Sequence, residues 1–203
     1  MQQLRDFQDL LHLAETRPGR MIKLPLQLLD TFSTLRVRAD GNCLWYSIVA
    51  ANLISQDMPI AEIRERDADG ELRRMSRKLR NAIGAELWDE DSGNFKDKYK
   101  DFWAPGEEGT EGADTPVKYI ELLIKGKIFG GELELFAVAS LLQRSIVVVN
   151  VPCGIRTTAA HLVSIQPTTG SLDIPLLLFR SGLHFDAIYP HTSLSSDSVS
   201  MSL

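Results

Sequence analysis

The side chains in this sequence best suited to chemistry are one cysteine and one histidine–aspartate pair. Cys43 follows Asp40-Gly41-Asn42, a turn-forming tripeptide, and opens an apolar segment that reads as an amphipathic helix. A thiol at a helix N-terminus meets the positive end of the helix dipole and unpaired backbone N–H groups. Both favour the thiolate, the nucleophilic form. Those N–H groups, with the ones of Asp40, Gly41 and Asn42, are also placed to hold the oxyanion formed when a carbonyl is attacked. A nucleophilic cysteine needs a base, and the chain has His12, His161, His184 and His191. His184 stands apart because Asp186 follows it two residues later in a β-like run. Strand side chains alternate faces, so residues 184 and 186 project to the same side, where the carboxylate can orient the imidazole and stabilise its charged form. Bland alternatives exist for each: a small buried apolar cysteine, and a half-buried strand with incidental polar residues.

These residues need elements to position them. Leu4, Phe7, Leu10, Leu11 and Ala14 recur at helical spacing until Pro18-Gly19, so residues 1–33 read as an N-terminal helical extension. A helix is expected from Cys43 to Ile54. Asp67 to Gly70 reads as a turn, with Asp69 as the N-cap of a helix whose apolar stripe is Leu72, Met75, Leu79, Ala82 and Ile83. Arg73, Arg74, Arg77, Lys78 and Arg80 fall on its other side. Between Asp89 and Thr115 periodicity is lost and a long loop is expected. Pro116 opens a short helix to Ile124, and Gly130-Gly131 precedes an apolar helix from Glu132 to Gln143. Four β-like runs follow, at residues 145–151, 161–166, 174–180 and 184–189, and residues 191–203 read as a serine-rich disordered tail. Helices followed by strands predict an α+β fold, a small central mixed or antiparallel sheet flanked by helices.

Composition narrows the function classes. The 203 residues suit a single main domain, and only 2 are cysteine, which excludes a disulfide scaffold and a multi-cysteine zinc module. The net charge of −5 argues against nucleic acid as a partner and fits one with a basic face. No apolar run approaches the about 18 residues of a membrane span, and the first residues lack a secretory pattern, so an intracellular, cytoplasmic protein is expected. Asp67, Asp69 and Gly70 are spaced like part of a calcium loop, but Ser76 stands where a bidentate glutamate is needed. Lys125-Gly126-Lys127 lacks the lysine–serine/threonine ending of a phosphate-binding loop. The basic face from Arg73 to Arg80 reads as a solvated helix side, and Cys153, between Pro152 and Gly154, as a bystander in a turn.

Taken together, the motifs resemble a known family. Asp40-Gly41-Asn42-Cys43-Leu44-Trp45 resembles the cysteine signature of the ovarian-tumour (OTU) deubiquitinases, and Leu183-His184-Phe185-Asp186-Ala187-Ile188 their histidine signature. Phe129-Gly130-Gly131-Glu132-Leu133-Glu134-Leu135, followed by Ile146-Val147-Val148-Val149, is similar to the family's Gly-Gly-Glu helix and ensuing strand. The resemblance implies a papain-like OTU catalytic domain over residues 34–190 and a thiol hydrolase that cleaves (iso)peptide bonds at the C-terminal glycine of ubiquitin. In it Cys43 would be the nucleophile, His184 the general base and Asp186 its orienter, with Asp40, Gly41 and Asn42 shaping the oxyanion loop. It implies no metal or organic cofactor. The implied partners are ubiquitin, polyubiquitin and ubiquitinated proteins, met by a monomer in the cytosol, or in a host cell's cytosol if the protein is a microbial effector. Trp45 and Phe129 stand where phenylalanine and tryptophan are more usual, and both swaps keep a large aromatic. Ubiquitin's tail is extended and basic, so an acidic approach is expected, from Glu86, Asp89, Glu90 and Asp91 or from Glu107, Glu108 and Glu111; a solvated acidic loop accounts for the same residues. The alternatives are an idle ubiquitin-binding module, or a thiol hydrolase or transferase acting on another ubiquitin-like modifier.

Overall fold

A computed structural model of the chain describes residues 12, 21–24, 29–30, 32–105, 112–152, 160–167 and 174–190. The elements in chain order are strands β1 (Ile22–Leu24) and β2 (Phe32–Leu35), then helices α1 (Cys43–Ile54), α2 (Ile60–Ala68) and α3 (Glu71–Leu87). A short hairpin, β3 (Trp88–Asp89) and β4 (Asn94–Phe95), and a 3-10 helix (Asp97–Phe102) lead to α4 (Pro116–Lys125) and α5 (Glu132–Leu142). Strands β5 (Ile146–Val151), β6 (Ala160–Ile165), β7 (Leu176–Ser181) and β8 (His184–Pro190) complete the fold. The six long-range strands form one sheet in the order β1-β6-β5-β7-β8-β2, antiparallel at every junction except β5–β7, which is parallel. The expected α+β class and helix-flanked mixed sheet are found.

The sheet is apolar on both faces, which accounts for the nearly continuous runs of valine and leucine in β5 and β7. Ile146 and Val148 of β5 face the helices together with Leu176, Leu178, Phe185 and Ala187. Val147 and Val149 turn the other way, onto Leu24, Phe32, Leu162, Leu177 and Ile188. Helix α1 lies in the middle of the helical layer and is buried from Cys43 through Ala51. It is therefore not the amphipathic helix expected but one that is apolar all round, as a central core helix must be. Burying Leu44, Trp45 and Ile48 almost completely contributes about 1.5–3 kcal/mol for each aliphatic side chain, so the helix that carries Cys43 is held firmly.

Several expectations need correction. Ile22–Leu24 and Phe32–Leu35, placed in or beside a helical extension, are edge strands paired with β6 and β8. Among residues 4–14 only His12, which is helical, is described; the serine-rich tail and Cys153 lie outside the described residues. Ile60–Ala68 is a helix, so Asp69 is its C-cap and Gly70 stands before α3. The stretch read as a long loop holds the β3–β4 hairpin and the 3-10 helix. Arg80, assigned to the solvated face of α3, is only 8% exposed.

The Gly130-Gly131 segment, which leads into α5, packs on Leu44 of α1. Glu134, fully buried, accepts the Gly131 N–H at 2.7 Å and the Tyr119 hydroxyl at 2.5 Å, while burial pushes its carboxyl above the usual range. A Cβ on Gly130 would lie 2.4 Å from Leu44 Cδ2, and Leu44 is itself 1% exposed with nowhere to move. Gly130→Ala is therefore expected to lower stability by about 1–3 kcal/mol through overpacking, read as a lower urea midpoint at constant slope. An unchanged midpoint would mean that Leu44 repacks freely.

Candidate active site

Cys43 begins α1, and its Sγ donates to the Leu183 carbonyl at 3.6 Å. Leu183 belongs to the tight β7–β8 turn, where Ser181 pairs with His184 and Gly182 takes the positive φ of 60° that two-residue hairpin turns demand. The thiol thus sits against the residue that precedes His184, although 140 positions separate Cys43 and Leu183 in sequence. His184 Nε2 and Asp186 Oδ1 are 3.0 Å apart, on one side of β8 as the alternation of strand side chains requires. Since a carboxylate only accepts, Nε2 carries the proton and Nδ1 is the nitrogen left to act as base. Asp186 is 7% exposed, and the same Oδ1 accepts the Val37 N–H at 2.9 Å.

The loop before Cys43 is an Asx turn. Asp40 Oδ1 accepts the Asn42 N–H at 3.1 Å, and Asn42 Nδ2 reaches Asp40 O and Oδ1 at 3.3 Å each. Gly41 adopts φ 81°, a left-handed conformation that suits glycine. The Asn42 N–H is therefore occupied in the resting protein, which departs from the expectation that the whole loop offers free donors. Asn42 Oδ1 is in turn held by Arg80 Nη1. Sequence reasoning missed Arg80 because it assigned cations to solvent, yet Leu72, Ser76, Arg80, Ile83 and Leu87 are all buried at spacings of three and four. That spacing was the available signal.

Burial pushes the Cys43 thiol above its ordinary 9.0. The N–H groups of Phe185, Leu44 and Cys43 itself pull it down, as the helix-start argument expects, and the charge of Asp186 pushes it up again. Desolvation is the largest of these effects, so the net shift is upward, against the direction that the helix start alone would give.

Leu183, whose carbonyl accepts from the thiol, also lines an open cleft of about 430 Å³ with Phe129, Trp103, Arg180, Asp101 and Glu132. Phe129 and Leu183 are exposed on its rim, whereas Trp45 is a core residue with no exposure. The acids lining this cleft are Asp101, Glu132 and the buried Glu134 rather than those expected. Glu86 is engaged by Lys98, Lys96 and Tyr99, Asp89 caps the β3–β4 turn through Ser92, and residues 107, 108 and 111 lie outside the described residues. Among the described residues no three His, Cys, Asp or Glu side chains converge as a metal ligand set.

The raised thiol predicts a pH profile. Alkylation of Cys43 by iodoacetamide, followed by mass spectrometry of its peptide, should be slow at pH 7 and still rising at pH 9, because the thiolate fraction keeps growing there. A rate already level between pH 6 and 9 would show that the N–H groups and His184 outweigh desolvation.

Comparisons with known proteins bear on the family and the fold. The model of the OTU-like cysteine protease family matches residues 38–180, with His184 and Asp186 just beyond its end. Among solved structures, an OTU deubiquitinase from Wolbachia pipientis wMel bound to ubiquitin superposes with a TM-score of 0.54 at 14% identity, over 79% of this chain and 97% of that one. The viral OTU domain protease from Dera Ghazi Khan virus gives 0.51 at 18% identity, over 83% and 86%. No curated protein sequence matches. The family span covers most of the chain and includes Cys43, its loop and the sheet built around it, and on that ground the chain belongs to the OTU-like cysteine protease family.

Proposed function

We propose that the protein is a deubiquitinase that hydrolyses (iso)peptide bonds at the C-terminal glycine of ubiquitin through Cys43, His184 and Asp186. The observation that carries the reading is the meeting of two distant segments: the Cys43 thiol against the Leu183 carbonyl, one residue from an imidazole already oriented by a buried carboxylate. The cleft that Leu183 lines carries Asp101 and Glu132, which suit an extended basic tail. Ubiquitin-bound solved relatives in the same family support the choice of substrate. Among the described residues no helix is long and apolar enough to cross a membrane. We place the enzyme in the cytosol as a monomer, and in a host's cytosol if its source lacks ubiquitin.

In this mechanism His184 Nδ1 removes the Cys43 proton as the substrate carbonyl arrives, and the sulfur attacks that carbon. The tetrahedral oxyanion is held by N–H groups at the start of α1, with Asp40, Gly41 and Asn42 shaping the approach. The C–N bond then breaks as protonated His184 gives its proton to the departing lysine amine. A thioester to Cys43 remains, and water, deprotonated by His184, releases the ubiquitin carboxylate and regenerates the thiol.

Ubiquitin with an electrophilic C-terminal warhead should form a covalent adduct with the wild-type chain under reducing conditions and none with Cys43→Ala. A wild type without adduct would sink the hydrolase reading and favour an idle binding module. Asp186→Ala should lower kcat/KM on a ubiquitin–fluorophore substrate about a thousandfold or more while ubiquitin binding persists. Asp186→Asn, whose Oδ1 can still accept both the Val37 N–H and the His184 Nε2–H, separates loss of the carboxylate charge from loss of orientation and fold. Full turnover in Asp186→Ala would remove that residue from the triad.

A further inference from the structure

Next to Asn42, helix α3 and the C-terminal end of α4 enclose a polar cavity of about 150 Å³. Its wall carries Arg73, Arg77, Arg80 and Lys125, together with Ser76 and Asn42. Residues 73, 76, 77 and 80 share one face of α3 because they are spaced i, i+3, i+4 and i+7. The two basic features that the catalytic reading leaves over, the arginine-rich helix and the Lys125-Gly126-Lys127 segment, therefore meet in space. The Arg80 guanidinium packs flat on Gly126, where a Cβ would come within 2.5 Å of its Nη1.

As it stands the cavity's cations are only partly compensated, by Asp40 and Tyr46, which both favour the charged Arg80. Like charges three and four residues apart on a helix repel. Burial first, and then Arg77, hold the Arg80 guanidinium below its usual range. Arg73 and Arg77 have no carboxylate partner among the described residues. Lys125 reaches Glu121 only at 3.7 Å, and Asp40 directs its carboxylate to the Asn42 amide. Two donors here, Arg80 Nε and Ser76 Oγ, are buried with no hydrogen-bond partner among the described residues. Both atoms lie beneath the cavity surface, so a ligand in the cavity meets the other lining cations, Arg73, Arg77 and Lys125, rather than these two donors.

We propose that this cavity is a binding site for a phosphate group, either free orthophosphate or the head of a phosphomonoester. Several converging donors and clustered cations match a tetrahedral dianion with many acceptor atoms better than a planar monoanionic carboxylate. The cavity is too small for a run of nucleic-acid backbone, and the chain's net charge of −5 gives such a partner no wider basic surface. The bound group would also bear on the catalytic loop, because the guanidinium that meets it holds Asn42 Oδ1.

The test is an amide NMR titration of the wild-type chain with inorganic phosphate and, separately, with O-phosphoserine, at ionic strength matched by chloride. Saturable shifts at Ser76, Arg77, Arg80 and Asn42 are expected, and the tighter of the two ligands identifies the source of the phosphate. Arg77→Gln should weaken binding about tenfold, the loss of one charge-assisted hydrogen bond. Lys78→Gln, which removes the same charge from an exposed position outside the cavity, should leave it unchanged. The proposal is overturned if neither ligand gives saturable shifts, or if both variants lose binding alike, which is the signature of general charge screening. No turnover is read, so the result is independent of the hydrolase reading.

Discussion

One carboxylate oxygen holds the catalytic end of this fold together. Asp186 Oδ1 accepts the Val37 amide from the segment that leaves β2 and the imidazole of its own strand. A buried carboxylate is costly unless hydrogen-bonded, and here both bonds do structural service. The first fixes where the chain departs from the sheet toward the Asp40–Asn42 loop. The second fixes the ring plane and tautomer of His184. Position and chemistry share an atom, so a change that disturbs the sheet edge also disturbs the proposed base.

The thiol faces two opposing demands. Placing Cys43 at the start of α1 surrounds it with N–H groups that favour a negative sulfur, but α1 is also the central helix of the core, and that brings desolvation. Burial prevails in the resting protein. The proposed hydrolysis would draw on N–H groups at the start of α1 to meet the negative charge that develops as a carbonyl is attacked.

What was legible in the sequence follows from range. Strands β5 to β8 and helices α1, α4 and α5 announce themselves through local pattern, and the spacing of His184 and Asp186 carries their common face with it. Strands β1 and β2 do not, because Ile22–Leu24 and Phe32–Leu35 are too short for a period and owe their state to partners more than a hundred residues away. Helix α2 was hidden because its one buried residue is Ile63, which leaves no stripe to read. Arg80 was misplaced by polarity alone. The Asp40–Asn42 turn was foreseen as a turn, but that its donors are partly used internally is a three-dimensional fact. The direction of the Cys43 shift was misread for the same reason, since a helix start is visible in sequence and depth of burial is not.

The pairing of β2 with β8 has a consequence during synthesis. Val37, Cys43 and the loop between them leave the ribosome long before Leu183, His184 and Asp186, and the sheet edge that anchors them cannot close until the last strand arrives. Contacts that span so much chain form late, because the closure entropy must be met first. The nascent polypeptide therefore carries a cysteine without its proposed base for most of its translation. Catalytic competence comes with completion of the fold, in a single closing step that joins the two ends of the domain.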